Sequence, residues 1–277
     1  MTRSVFELSG RTALVVGGRG FLGRHISAAL AEAGSHVYSA DLSEPSLAAS
    51  HALPLASQPQ IEQRMVDVTR PDSVKALIDA LVEETERIDT LVYSVTAKPD
   101  DFYMPFVECS LGGWQKILKA ELDGLFLVAQ QVGRHMESQG SGSMIFVASI
   151  YGMVGNDQRI YEGSNLAEIY CNSSDEAPKR IYSHAGYAAA KGGVIALTRF
   201  LAAYWGGEGI RVNSVTVGGV AHPSENSEFV KRYSARVPLG RKADSQEISG
   251  AIVFLASKAS SYITGHNLVV DGGWTAW

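Results

Sequence analysis

At 277 residues the chain is long enough for two small domains or one larger α/β unit, and an alternation of patterns along most of its length favours a single domain over 1–277. Hydrophobic residues make up 45% and charged residues 19%, which supports a large packed core and excludes a disordered chain. With 24 Lys and Arg against 29 Asp and Glu the net charge is −5, so neither a nucleic-acid backbone nor a membrane surface is an expected partner.

Glu7 interrupts the stretch where a secretory leader needs an apolar run, and no segment approaches about eighteen uninterrupted apolar residues, so the expected compartment is the cytosol. Residues 12–16 read as a strand bounded by glycine. Leu22, Ile26, Ala29, Leu30 and Ala33 follow at helical spacing, with Gly34 as a stop. A second strand, 36–40, ends at Asp41, and the Ser-, Ala- and Pro-rich stretch 43–60 reads as a loop. Residues 65–68 read as a third strand, and Thr69-Arg-Pro-Asp72 as a capped start for a helix whose buried face carries Val74, Leu77, Ile78, Leu81 and Val82. The fourth strand is 90–95, a long helix is expected over 114–136, and a fifth strand, 143–148, ends beside Ser149. A helix from Ser183 to Tyr204, a strand at 210–217, a helix at 246–256 and a strand at 268–270 complete the pattern.

Strands alternating with helices imply βαβ units, hence a doubly wound parallel sheet of Rossmann type with helices on both faces. Two segments break the rhythm. The insertion 153–186 is rich in Tyr, Asn, Ser and mixed charge, and 221–237 carries a short amphipathic stretch at 229–233; long unpatterned loops in compact domains tend to be functional. Cys109 and Cys171 are 62 positions apart with no partner at metal-ligand spacing, so neither a disulfide framework nor a metal site is indicated.

The turn Gly17-Gly-Arg19-Gly20-Phe21-Leu22-Gly23 lies between the first strand and first helix, where glycines admit a pyrophosphate and the helix N-terminus supplies unpaired amides. Asp41, 24 residues after Gly17, ends the second strand, where a carboxylate accepts both hydroxyls of an adenosine ribose and repels a 2′-phosphate. NAD is therefore the expected cofactor, with NADP kept open by Arg19. Tyr187-Ala-Ala-Ala-Lys191 sets a phenol and an ammonium one helical turn apart, and a nearby cation favours the phenolate. Ser149 stands at the C-terminal end of its strand, the edge where a cofactor crevice opens.

Together these residues, with Asp67-Val68, Ile210-Arg-Val-Asn213-Ser and Gly265-His-Asn-Leu-Val-Val-Asp-Gly-Gly273, resemble the short-chain dehydrogenase/reductases over essentially the whole chain. The resemblance implies an NAD(P)-dependent enzyme interconverting a secondary alcohol and a ketone. It makes Tyr187 the acid/base, Lys191 the residue that holds the nicotinamide ribose and tunes Tyr187, and Ser149 the hydrogen-bond partner of the reacting oxygen. It also sets Asp67 and Val68 at the adenine and the backbone of Val220 at the carboxamide. The spacing Gly17-x-x-Gly20-x-x-Gly23 is that of the larger, epimerase-like branch, whereas length and ending match the smaller single-domain branch. Epimerase or dehydratase chemistry with retained NAD, and a non-catalytic nucleotide sensor, stand as alternatives.

Three positions depart from the family. Tyr93-Ser94-Val-Thr96 replaces Asn-Asn-Ala-Gly, with Ser94 beside the cofactor, and Val217-Gly218 replaces Pro-Gly. Glu121 occupies the place of an asparagine that supports a water relay to the lysine; it either pairs with Lys191, joins the relay, or is a solvated helical residue. Ser149 and Tyr187 are 38 residues apart, and the excess carries Tyr151, Asn156, Asp157, Arg159, Tyr161, Glu162, Asn165 and Glu168, which suit a hydroxyl-rich or charged ligand, a subunit contact or a surface loop. Arg159-Ile-Tyr-Glu-Gly163, Phe229-x-x-x-Tyr233 and Pro238-Leu-Gly-Arg241 are similar to dehydrogenases of bacterial surface-sugar and flagellin-glycan pathways. The expected substrate is a sugar-like small molecule. Small residues 188–190, Gly192 and Gly193 on the catalytic helix point to pairing as a homodimer or homotetramer. The aromatic end, Trp274 to Trp277, reads as a cluster on its own subunit or a cover for a neighbour's pocket.

Overall fold

The computed structural model describes residues 4–42, 60–170 and 180–277. Among the described residues seven strands form one parallel sheet: β1 (Thr12–Val16), β2 (His36–Asp41), β3 (Ile61–Met65), β4 (Thr90–Tyr93), β5 (Gly142–Ser149), β6 (Ile210–Val217) and β7 (Asn267–Val270). Their order across the sheet is β3-β2-β1-β4-β5-β6-β7, so the winding reverses between β1 and β4, where doubly wound folds open their ligand crevice. The helices are α1 (Phe21–Glu32), α2 (Pro71–Thr85), α3 (Leu111–Leu118), α4 (Gly124–Gln139), α5 (Leu166–Tyr170), α6 (Ala185–Trp205), α7 (Ser227–Ser234) and α8 (Ser245–Ala256).

Strand side chains alternate between faces, and this alternation splits the core in two. Leu14 and Val16 face one way with Leu77 and Ile78 of α2, Val128 and Val132 of α4, and Val194 and Trp205 of α6. Ala13 and Val15 face the other way, against Ile26 and Leu30 of α1 and Ile248, Ile252 and Leu255 of α8. Each large apolar side chain taken from water in this way contributes about 1.5–3 kcal/mol. A third cluster, over the C-terminal sheet edge, joins Phe102, Tyr161, Leu166, Phe229, Tyr233 and Trp274.

Four expectations are corrected. The third strand is Ile61–Met65, not 65–68: it is the outer strand of the sheet, and Glu62, Gln63 and Arg64 give it a polar sequence. The start expected at Thr69-Arg-Pro-Asp72 has Arg70 at the N-cap with no side-chain cap bond, and Pro71 opens α2, where its missing amide costs nothing. The helix expected over 114–136 is two α-helices joined by one π-helical turn, Lys119–Asp123. Of the small residues expected on an open face of α6, Ala190 is instead fully buried and a Cβ at Gly193 would meet Leu122, while Ala188 and Gly192 are half-buried and Ala189 is exposed. The loop expected over 43–60 lies, apart from Gln60, outside the described residues, as does Cys171.

Candidate active site

The glycine turn is built from steric necessity. Gly17 has φ of 81° and lies against the Ser94 carbonyl, while a Cβ at Gly18 would strike Ser39 and one at Gly23 the Gly17 carbonyl. Gly20 is the N-cap of α1 and has no side chain to accept the first-turn amides, which leaves the groups that an anion needs. Asp41 Oδ2 accepts from the Arg19 amide at 3.0 Å and Oδ1 from the Leu42 amide at 2.8 Å, so the carboxylate is fastened beside the turn. The Arg19 side chain spans Gln63 Oε1 at 3.0 Å and the Leu42 carbonyl at 3.2 Å. Phe21 and Leu22 follow in the first turn of α1.

The other expected cofactor positions lie at the same sheet edge. Asp67 follows β3, its Oδ1 accepting from the Thr69 amide at 2.9 Å and hydroxyl at 2.7 Å, and Val68 is buried beneath it. The Ser94 amide donates to the Val16 carbonyl at 2.8 Å, tying the exit of β4 to β1. Val220 follows β6 and bridges Ala243. A glycine cradle without room for side chains, open helix amides and a fixed carboxylate at the switch point are the fit that a dinucleotide requires.

Ser149 ends β5, its Oγ accepting from the Tyr151 amide at 3.3 Å as it caps a 3-10 turn at Ile150–Gly152. Gly152 lets that turn approach α6, because a Cβ there would meet the backbone of Lys191 and Gly192. Helix α6 starts at Ala185 behind His184, whose Nδ1 accepts from the Gly186 amide at 2.9 Å. Tyr187 and Lys191 therefore share one face, with Lys191 Nζ 5.5 Å from the phenol ring centroid and Phe102 edge-on to the ring at 6.0 Å. Burial raises the Tyr187 pKa and the Glu121 charge adds to this, while the Lys191 ammonium and the Ser149 hydroxyl oppose them. Lys191 is itself buried, donating to the carbonyls of Val95 at 3.3 Å and Val147 at 3.2 Å.

Glu121 is fully buried, with Oε2 3.0 Å from Lys191 Nζ. Of the three readings open in the sequence, the solvated one is excluded. Burial alone disfavours both charges; Glu121 together with Tyr187 more than offsets this for Lys191, whose pKa is raised, while the Glu121 carboxyl is raised by burial against the pull of Lys191. The π turn makes this contact possible. It breaks the α-helical register at one point, and the Ala120 carbonyl inside it accepts a hydrogen bond from the Tyr93 hydroxyl at 2.5 Å. Gly124 closes the turn where a Cβ would meet Tyr93 and Val68.

Among the described residues of the insertion, several polar groups bond within it, to α7 and to the segments flanking α7. Asp157 binds Arg159 at 2.8 Å and Arg236 at 2.6 Å, Glu162 binds Arg232 at 2.9 Å, and Asn165 donates to the Ser224 carbonyl at 2.8 Å. Two residues of the set turn inward instead: Tyr161 donates to the Tyr151 hydroxyl at 2.8 Å, and both sit in the aromatic cluster beside Tyr187. Trp274 stacks on Tyr233 at 4.5 Å within that cluster, whereas Trp277 is exposed. Sequence reasoning missed a line of rings across the crevice. Lys98 stands 3.3 Å from the Tyr170 ring centroid, Tyr170 faces His222 at 5.8 Å, and His222 faces Phe21 of the glycine turn at 5.1 Å. It also missed the buried ion pair of Lys242 with Glu225 that anchors the 221–237 loop. Neither carries a spacing signal, because the fold and not a shared element brings the partners together.

A dinucleotide cradle at the sheet edge that also holds buried Ser149 and Lys191 and half-buried Tyr187 defines an NAD(P)-dependent oxidoreductase. Comparison with known proteins gives the family. A model described as short chain dehydrogenase matches residues 11–167, and one described as enoyl-(acyl carrier protein) reductase matches 159–275. The D-threitol dehydrogenase of Mycolicibacterium smegmatis is 33% identical over 98% of this chain and 95% of its own. The cis-4-hydroxycyclohexanecarboxylate dehydrogenase of Sinomonas cyclohexanicum is 34% identical over 96% of this chain and 97% of its own. Among solved structures, a short-chain dehydrogenase from Leptospira borgpetersenii with bound NAD+ superposes with a TM-score of 0.83 at 27% identity, covering 99% of this chain and 96% of that one. The chain belongs to the short-chain dehydrogenase/reductase family. No described helix is long and apolar enough to cross a membrane.

Proposed function

We propose that this enzyme interconverts a secondary alcohol and a ketone on a polar, sugar-like small molecule, with Tyr187 as the acid/base. The observation that carries the reading is the convergence of Ser149, Tyr187 and Lys191 at the sheet edge that also holds the glycine turn. Gly17, Arg19, Gly20, Phe21, Leu22 and Gly23 would hold the diphosphate, Asp41 the adenosine ribose, and Asp67 and Val68 the adenine. Ser94 and Val220 would flank the nicotinamide half, which supplies the hydride acceptor when bound. NAD is the preferred form, since the fixed carboxylate of Asp41 repels a 2′-phosphate.

In oxidation, Ser149 and Tyr187 hold the substrate hydroxyl, the phenolate takes its proton, and the carbon gives up a hydride. In reduction the phenol returns the proton to the carbonyl oxygen. Lys191 fixes the ribose and biases the phenol toward its charged form. The aromatic walls and inward hydroxyls of Tyr151 and Tyr161 suit the apolar and hydroxylated faces of a sugar or polyol, and the D-threitol dehydrogenase relative supports that class. The protein acts in the cytosol as a homo-oligomer.

The test is nicotinamide reduction with NAD+ and a panel of polyols, sugars and cyclic alcohols. Tyr187→Phe lowers turnover by about 10²–10⁴-fold while cofactor affinity stays within a few-fold, since the acid/base contributes on that scale. Wild-type turnover in that variant would falsify the assignment. Substrate conversion with no net change in nicotinamide absorbance would mark epimerase chemistry instead.

A further inference from the structure

Two departures from the family, Tyr93 and Glu121, meet in one piece of structure. The Tyr93 hydroxyl takes up the Ala120 carbonyl, and the turn so held aims the next residue, Glu121, at the catalytic lysine. Glu121 has no exposed surface, and its Oε2 lies 3.0 Å from Lys191 Nζ, with the Ala97 amide as a further group that favours its charged form. A buried carboxylate facing a buried ammonium changes what that ammonium can do. Lys191 with Glu121 is a neutral pair, and a neutral pair stabilises a phenolate less than a bare cation does.

We propose that Glu121 is a positioning residue that balances the charge of Lys191 and so keeps the proton on Tyr187, setting the site for ketone reduction at neutral pH and confining fast alcohol oxidation to alkaline pH. The inference rests on the reading of Tyr187 as the acid/base. It concerns rates at a given pH, since no residue alters the overall equilibrium. Reduction needs the phenol and oxidation the phenolate, so whatever holds the proton favours the first.

The groups facing this pair are few. From α6 come Lys191 and Tyr187; from the loop after β4, Lys98 adds a second, more distant positive charge to Glu121; from β4 comes Tyr93, and Asp123 lies on the π turn itself. Tyr151 and Tyr233 face Tyr187 from the substrate side. Burial pushes the pKa of each of these three other phenols upward, so they stay neutral across the working range. That leaves Glu121 as the acidic charge acting on Tyr187.

The experiment is the pH dependence of kcat/KM in both directions for the full-length enzyme, with any alcohol and ketone pair that it turns over. In the wild type the oxidation rate should climb tenfold per pH unit through neutrality to a midpoint above pH 7, with reduction flat until the same midpoint. Glu121→Gln removes the charge and keeps the shape. Its oxidation midpoint should fall by about one pH unit or more, the scale of one charge at this range in a protein interior. At pH 7 the variant then runs closer to its own plateau by about tenfold. Glu121→Asp, which keeps the charge, should stay near the wild-type midpoint. The phenolate absorbance of the NAD-bound protein, taken as the difference from Tyr187→Phe, should show the same shift without any turnover. If no alcohol is oxidised, the functional reading falls while this titration still decides the role of Glu121. A wild-type midpoint at or below pH 7, or a Glu121→Gln midpoint unmoved in rate and absorbance, overturns the proposal. If Glu121→Gln does not fold, the wild-type midpoint and the Glu121→Asp comparison decide.

Discussion

Asp41 closes β2 with both carboxylate oxygens bonded to backbone amides, those of Arg19 and Leu42, so the position of its charge is set by the chain and not by a rotamer. A charge fixed in this way discriminates between cofactors. Removing it in Asp41→Ala takes away the acceptor for a ribose hydroxyl and leaves the guanidinium of Arg19, held across Gln63 and the Leu42 carbonyl, as the nearby ion. The expected outcome is a rise in KM for NAD with a smaller change for NADP, the ratio of their kcat/KM values moving at least about tenfold toward NADP, which corresponds to about 1.4 kcal/mol. Steady-state kinetics with both cofactors checks this, and an unchanged ratio removes Asp41 from cofactor choice. The place of Asp41 beside the glycine turn was legible in the sequence because it follows from a strand end after that turn. Ser149 was legible as a strand end, and Tyr187 with Lys191 as a pair one helical turn apart. Tyr93 was legible only as a departure, since its hydroxyl bonds a main-chain carbonyl in a turn that no residue pattern announces.

At the scale of elements, long periodic segments were read correctly and two local features were not. The edge strand β3 alternates buried and exposed positions and is polar in its middle, so an apolar-run criterion moves it toward 65–68. The π turn is invisible because residues on both sides of it have good helical spacing, and only a tertiary contact marks the slip in register. That contact can be weighed. Tyr93 is buried, and Tyr93→Phe deletes the bond to the Ala120 carbonyl with almost no loss of volume. A buried carbonyl left without its donor costs about 1–3 kcal/mol, so thermal unfolding should shift down by several degrees. The oxidation limb of the pH profile should shift in the variant too, because the turn that aims Glu121 is loosened. A melting temperature within a degree of wild type would mean that backbone packing, not the tyrosine, holds the π turn.

At the scale of the whole molecule, helix α6 joins the proposed catalytic residues to a pair of exposed rings. Helix α6 carries Tyr187 and Lys191 near its N-terminal end, while Phe200 and Tyr204 near its C-terminal end are 64% and 65% exposed and stacked with their rings 6.3 Å apart. Phe126 of α4 is exposed as well. Of the small residues of α6 that suggested pairing from sequence, Ala190 is buried while Ala189 is exposed, and the aromatic rings add exposed apolar area on the same helix and on α4. Aromatic side chains are enriched at protein interfaces relative to the rest of the surface. A second copy related by a two-fold axis would cover each ring with the same face of its partner, because such an interface is self-complementary. Phe200→Asp puts an unpaired charge into that contact twice, once from each subunit, and charge buried without a partner is strongly unfavourable. Sedimentation should therefore show the assembly falling to the next smaller species, with lower thermal stability and a helix α6 less firmly held. If the mass is unchanged, the subunits associate through another surface, and the exposed rings of α4 and α6 play no part in assembly.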